Sequence, residues 1–74
     1  MVDKTLDCKG LMCPMPIVKL SQAVKGMTSG QTIEVHATDS PFKFDLECWI
    51  KRSNAEILSF VQEGNVSKAI VKIK

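Results

Sequence analysis

The stretch GLMCPMP, residues 10–16, separates a strand from a helix in the first third of the chain. Residues 2–8 before it have the pattern of a short strand, and apolar residues recur at helical spacing after it. Pro14 and Pro16 fit the first turn of a helix, where backbone amides have no partner within the helix, whereas proline deeper in a helix is destabilising. The sequence therefore predicts that a helix begins here, directly after the first strand.

The predicted first helix spans about three turns. Either Gly26 or Gly30 could form its C-terminal turn, because glycine adopts the left-handed conformation that ends many helices. The apolar stripe of this helix consists of Ile17, Leu20, Val24 and Met27.

A second strand and a second helix follow. Residues 32–38 alternate strictly between polar and apolar, which is typical of a half-buried strand. Ser40 and Pro41 favour the start of a helix, with Ser40 as the capping residue, and Asn54 could end this helix after residue 53 in the left-handed conformation. The apolar stripe of this helix consists of Phe42, Leu46, Trp49 and Ile50.

Two further strands complete the chain. Residues 56–62 and 66–74 have strand patterns, and residues 63–65 between them have the length and composition of a hairpin connection. The order βαβαββ with right-handed crossovers predicts an α/β two-layer sandwich, in which both helices cover one face of a four-stranded mixed sheet.

The other sheet face is expected to be more open. Apolar residues assigned to it would form a second small cluster or a contact surface; they are Leu58, Phe60 and Ile70. The lysines of the last strand are interpreted as the solvated side of an edge strand, where lysine discourages unwanted pairing; they are Lys68, Lys72 and Lys74.

Length and composition limit the possible classes of protein. The 74 residues, 45% apolar and 24% charged, are typical of one globular domain, which we take as residues 1–74. The uncharged run over residues 11–18 is much shorter than the ~20 residues that span a bilayer, and no signal peptide is evident. We therefore expect a cytoplasmic protein without a membrane span.

Charge and cysteine content narrow the candidate partners and cofactors. A net charge of +2, spread through the chain, does not indicate direct nucleic-acid binding. Three cysteines cannot close a disulfide framework and fit a reducing compartment. Since no short pair of metal ligands occurs, the sequence predicts neither a metal site nor another cofactor.

Cys13 is the candidate reactive residue. It precedes the predicted first helix, whose positive N-terminal end favours a thiolate. If Cys13 caps this helix, its sulfur can approach the free amide of Met15, and the positive charge of Lys9 would assist. An ordinary thiol, with a pKa of about 8.5, is mostly protonated at pH 7, so we expect a modest lowering of the pKa of Cys13.

This stretch resembles the Cys-Pro-x-Pro signature, preceded by Gly-Leu-x, of the TusA-like (SirA-like) sulfur-carrier family. The resemblance covers essentially the whole chain. Residues outside the signature that carry it are Leu6, Asp7, Lys9, Asp39, Asp45, Leu46, Trp49, Glu56, Ile57, Leu58 and Gly64. The chain departs from the common pattern at Cys8 and at Asn54–Ala55.

The resemblance implies a βαβαββ sandwich that carries sulfane sulfur as a persulfide on Cys13. Gly10, Pro14 and Pro16 would shape the helix entrance, and Lys9 would support the thiolate. The implied partners are a persulfide donor, such as a cysteine desulfurase or a rhodanese-like protein, and a downstream sulfur-acceptor protein. We expect a sulfurtransferase-type carrier without autonomous turnover, because no Ser/His/Asp or Cys/His arrangement is evident.

Two other functions stay open. Cys8 could form a redox switch with Cys13 if their Cα atoms lie within about 7 Å, or it could be an apolar filler of the first strand. Alternatively, the chain could be a small regulatory interaction module that does not use its thiol.

Other residues receive structural interpretations. His36 is expected to be a solvated residue on the polar side of its strand, and Trp49 a core residue of the second helix. On the predicted register, Phe44 and Cys48 face outward together and would suggest a partner surface.

Overall fold

The computed structural model describes residues 2–12 and 15–74, which form a single βαβαββ unit. The elements are β1 (Lys4–Cys8), α1 (Met15–Val24), β2 (Thr32–Ala37), α2 (Phe42–Arg52), β3 (Ala55–Glu63) and β4 (Val66–Ile73). The element order predicted from the sequence is confirmed, and the bounds differ by only a few residues.

The four strands form one mixed sheet in the order β1-β2-β4-β3. Strand β1 runs parallel to β2, whereas β4 is antiparallel to both β2 and β3. The predicted mixed sheet is confirmed, but the interpretation of the last strand as an edge strand is wrong. The β2–α2–β3 crossover leaves a gap one strand wide, and β4 returns from the hairpin into that gap.

The core lies between the sheet and the two helices. Strand β2 alternates as expected, with Ile33, Val35 and Ala37 fully buried. The helices contribute Leu20 from α1, and Phe42, Leu46 and Trp49 from α2. Trp49 is thereby confirmed as a core residue.

A β-bulge in β3 reverses the faces of its later residues. The pairing of β3 with β4 shifts between Ile57 and Ser59, so Leu58 is inserted without a partner of its own. Phe60 therefore packs on the core side, its ring 6.3 Å from that of Phe42, while Leu58 is exposed. The placement of Phe60 on the open sheet face is wrong, because strict alternation does not anticipate an inserted residue.

The second helix starts and ends differently from the sequence expectation. Pro41 occupies the N-cap position without any side-chain hydrogen bond, so Ser40 does not cap α2. At the other end Ser53 is extended, and Asn54 does not have a positive φ. The main chain of Asn54 instead accepts a hydrogen bond from the Lys74 amide at 2.9 Å, which leads Asn54 directly into β3.

The first helix ends at Val24 through a turn that contains Gly26. The Met27 amide donates to the Val24 carbonyl at 3.0 Å, and Met27 packs against the core beyond the end of the helix. Gly26 therefore lies in the C-terminal turn, although its φ is not positive. Gly30, with a φ of 92°, lies in the later turn that leads into β2.

Candidate functional site

The segment that bears the candidate thiol joins the end of β1 to the start of α1. Cys13 and Pro14 lie outside the described residues, which end at Met12 before them and resume at Met15. Cys8 and Ala37 are partners at the ends of the parallel strands β1 and β2. Because both strands end at the same edge of the sheet, the segments that follow them lie side by side.

A tight turn leads the chain out of β1. The Leu11 amide donates to the Cys8 carbonyl at 3.2 Å, and Gly10 has a φ of 83°. A positive φ at the third position of a four-residue turn is the requirement of a type II turn, and glycine adopts it without a steric penalty. Gly10 therefore allows the chain to turn directly after β1, and its role at the helix entrance stays a prediction.

A second contact fastens this turn to the neighbouring segment. The Gly10 amide donates to the Thr38 hydroxyl oxygen at 2.9 Å, and Thr38 follows directly after β2. Thr38 is not among the residues predicted from the sequence, because nothing local distinguishes it from the other threonines. Only the pairing of β1 with β2 brings it next to Gly10.

The chain on either side of Cys13 in sequence is exposed. Met12 is 75% exposed and Met15 is 43% exposed. The Met15 amide donates to the Met12 carbonyl at 2.8 Å. That amide is already engaged, contrary to the expectation that it would be free to reach the cysteine sulfur.

Pro16 is buried in the first turn of α1. Its carbonyl oxygen lies 3.9 Å from the Cys8 sulfur, which makes a weak hydrogen bond to it. Proline is compatible with this position because it lacks only an amide that would have no partner within the helix. The buried ring and the contact with Cys8 anchor the start of α1 to the end of β1.

Cys8 has the surroundings of a core residue. Its side chain is fully buried, and this burial raises the pKa of its thiol above the ordinary value. The positive charge of Lys19 opposes the increase and the negative charge of Asp7 adds to it. A buried thiol with a raised pKa is a poor nucleophile, so this environment fits the filler interpretation of Cys8.

Lys9 is exposed at the second position of the turn. Its backbone amide donates to the Asp7 carboxylate at 3.0 Å, which holds the start of the turn against β1. The electrostatic role that the sequence suggests for its ammonium group stays a prediction.

The remaining candidate residues lie on α2 and β2. Phe44, 68% exposed, and Cys48 face outward on α2, as predicted. His36 is on the sheet face opposite the helices and, rather than being simply solvated, lies 2.8 Å from the Glu34 carboxylate.

Two open depressions lie along the groove between α1 and α2. One, of about 320 Å³, extends past the C-terminal ends of the helices; the other, of about 440 Å³, extends along α1 to Ile17. Both are lined by Ser21, Trp49 and Ser53. Neither depression is lined by residues 9–12, the described residues that precede Cys13 in sequence.

Comparison with known families accounts for this arrangement. The family model described as Sulfurtransferase TusA matches residues 4–73, which is nearly the whole chain. The chain belongs to the TusA family. In this TusA-family chain, the Cys-Pro-x-Pro signature occupies residues 13–16, which follow the turn after β1 in sequence and extend into the first turn of α1.

Named relatives of the TusA-family chain extend over most of its length. It is 48% identical over 66 residues to "Putative sulfur carrier protein YrkI" of Bacillus subtilis, covering 89% of this chain and 88% of the relative. It is 33% identical over 70 residues to "Sulfur carrier protein TusA" of Allochromatium vinosum, covering 95% and 92% of the two chains. Some relatives are longer: two of them are matched over only 36% of their own length.

A solved structure shows the same fold. The crystal structure of a SirA-like protein from Desulfitobacterium hafniense superposes with a TM-score of 0.62, covering 93% of this chain and 95% of that one. The two sequences are 18% identical, so this likeness concerns the fold alone. Among the described residues, no helix has the length and hydrophobicity to cross a bilayer.

Proposed function

We propose that this protein is a sulfur carrier that accepts sulfane sulfur as a persulfide on Cys13 and passes it to an acceptor protein. The observation that carries the proposal is the position of the Cys-Pro-x-Pro signature in a TusA-family chain, where it follows β1 in sequence and ends in the first turn of α1. The exposure of Met12 and Met15 supports it, because a group that exchanges sulfur between proteins has to be reached from outside. As part of this proposal we place the protein in the cytoplasm, where thiols are kept reduced.

The transfer is a thiol–disulfide type of exchange. The Cys13 thiolate attacks the outer sulfur of the donor persulfide, a new S–S bond forms, and the S–S bond of the donor breaks. The electron pair of that bond leaves on the inner sulfur of the donor as a thiolate. The transferred sulfur keeps its proton, so the products are a Cys13 persulfide and a donor thiolate, with no net oxidation.

This chemistry requires no acid–base pair on the carrier. A thiolate is itself the nucleophile, and a donor thiol of low pKa is a good leaving group. The rate then depends on the thiolate fraction and on access. The depressions between α1 and α2 are not lined by the described residues 9–12, which suits a reaction between two protein-bound sulfur atoms.

The partners are proteins that carry sulfur on a cysteine of their own. We expect a persulfide donor of the cysteine desulfurase or rhodanese-like class and a downstream sulfur-acceptor protein. Exposed apolar residues near the signature would contact them: Met12 and Met15 have flexible, adaptable side chains, and Val18 adds an exposed apolar group on α1.

The test is sulfur transfer to this protein from a cysteine desulfurase that is supplied with free cysteine. Mass spectrometry of the intact carrier and of its peptides then locates the added sulfur. We expect an addition of about 32 Da, the mass of one sulfur atom, on the peptide that contains Cys13. Cys13→Ser abolishes the addition, and Cys48→Ser, which changes an exposed thiol on α2, retains it. Sulfur that loads only on Cys8 or Cys48 contradicts the proposal.

A further inference from the structure

The hydrogen bond between Gly10 and Thr38 connects two segments that are 28 positions apart in the chain. The backbone hydrogen bonds from Leu11 to Cys8 and from Met15 to Met12 close local turns, and the weak contact of the Cys8 sulfur with the Pro16 carbonyl joins β1 to α1. The Gly10–Thr38 bond is different because it ties the exit of β1 to the exit of β2. It therefore positions the turn relative to the sheet.

The turn concerned immediately precedes Cys13. Two residues, Leu11 and Met12, separate Gly10 from the thiol in sequence. Gly10 is exposed and has a φ of 83°, a region in which glycine is free to adopt many neighbouring conformations. Without the bond to Thr38, only the local ones to Asp7 and Cys8 among the described hydrogen bonds would hold this turn, and we expect its orientation relative to β2 to vary more.

Sulfur transfer depends on orientation. The attacking sulfur has to approach the outer sulfur of the donor along the axis of the bond that breaks, and holding the reacting groups in this geometry lowers the barrier. A loop with fewer conformations reaches the reactive arrangement more often once the donor has docked. Such a contact changes the rate of transfer more than it changes docking.

We propose that Thr38 is a positioning residue for sulfur transfer at Cys13, acting through its hydroxyl, which accepts the hydrogen bond of the Gly10 amide. This inference rests on the proposed carrier function. Thr38 is half-buried and directly follows Ala37, the last residue of β2, which is paired with Cys8 of β1, so its hydroxyl accepts the bond next to the paired ends of the two strands. A reactive group is held in its productive geometry more precisely when residues of rigid elements support it, and Thr38 would provide such support from the end of β2.

The test compares Thr38→Val, which keeps the shape and removes the acceptor, with Thr38→Ser, which keeps the hydroxyl. Single-turnover loading of Cys13 by a sulfur-loaded cysteine desulfurase is followed on the Cys13 peptide over a range of donor concentrations. We expect Thr38→Val to lower the maximal loading rate by about three- to tenfold, as for loss of one ordinary hydrogen bond, at an unchanged half-saturating donor concentration. Thr38→Ser stays within about twofold of the wild-type rate.

The control is Thr5→Val, the same substitution on the sheet face away from the helices, where Thr5 is paired with Glu34. We expect Thr5→Val to leave the maximal rate of sulfur loading on Cys13 unchanged. Hydrogen exchange of the Gly10 amide gives a second readout, with faster exchange in Thr38→Val and wild-type exchange in Thr38→Ser. If Thr38→Val does not fold, Thr38→Ala removes the same acceptor and takes its place.

The outcomes separate this inference from the carrier proposal. If the wild-type protein acquires no sulfur on Cys13, the carrier function fails. If the wild-type protein loads and Thr38→Val loads at the same maximal rate, the positioning role of Thr38 is wrong and the carrier function stands. A lower melting temperature with an unchanged loading rate of the folded protein likewise overturns the positioning role.

Discussion

The sulfur of Cys8 lies 3.9 Å from the carbonyl oxygen of Pro16, and both residues are buried. This contact joins the last residue of β1 to the first turn of α1. It connects the two ends of the segment in which Cys13 occurs, so the packing of Cys8 supports the candidate site from within the core. The three cysteines are thus expected to have different chemical behaviour.

Cys8 and Cys48 are expected to differ strongly in their reaction with iodoacetamide. In the folded protein at pH 7.5, Cys48 reacts readily, and Cys8 reacts at least about tenfold more slowly because it must be exposed by local opening. Peptide mass spectrometry measures both rates, and unfolding in guanidinium chloride removes the difference.

The same experiment under oxidising conditions addresses the redox alternative. In the Cys48→Ser variant, mild oxidant should not cause the joint and reversible loss of the Cys8 and Cys13 thiols. Formation of that disulfide in the folded protein would support a switch instead of a carrier.

The raised pKa of Cys8 predicts a loss of stability at alkaline pH. Since the folded pKa lies above the unfolded value of about 8.5, the folded state binds more protons between the two values. The stability contributed by this group is complete below pH 8.5 and is lost as the pH rises through the folded pKa. Urea titrations of wild type and Cys8→Ala from pH 7 to pH 10 measure the difference.

The matched control for this pH dependence is Cys48→Ala, which removes a thiol that is exposed on α2. The wild-type protein and Cys48→Ala should lose stability in parallel above pH 8.5, while Cys8→Ala should be less sensitive to pH. If the free energy of unfolding falls equally steeply with pH in Cys8→Ala and Cys48→Ala, the raised pKa of Cys8 is contradicted.

Phe42 is expected to be important for stability, in contrast to its neighbour Phe44. Phe42 is 1% exposed and stacks on Phe60, so Phe42→Ala should lower the free energy of unfolding by about 3–5 kcal/mol. Phe44→Ala removes a ring that is 68% exposed and should change the free energy of unfolding by less than about 0.5 kcal/mol. Denaturant unfolding of both variants checks this, and similar losses would place Phe44 in the core.

Gly10→Ala tests the conformation of the turn before Cys13. A Cβ atom at Gly10 meets nothing within 4 Å, so the cost is that of forcing alanine to a φ of 83°, about 1–2 kcal/mol of stability. Gly26→Ala is the control, because Gly26 also has space for a Cβ atom but does not have a positive φ. Thermal unfolding should show a lower melting temperature for Gly10→Ala and no decrease for Gly26→Ala.

The sequence by itself determined the order of the elements, the faces of β2 and α2, and the candidate thiol. These features depend on local patterns: the alternation over residues 32–38, the helical spacing of Phe42, Leu46 and Trp49, and the two prolines after Cys13. Each follows from interactions between residues close in the chain, or from the burial of one continuous face. The exposure of Phe44 and Cys48 followed from the same helical spacing.

Tertiary structure decided what depends on residues distant in the chain. Only the crossover geometry places β4 inside the sheet, and only the pairing of β3 with β4 shows the inserted residue that turns Phe60 toward Phe42. The contact of Gly10 with Thr38 likewise arises because β1 and β2 are adjacent and parallel. Such contacts are set by the packing of whole elements, for which no local sequence pattern is sufficient.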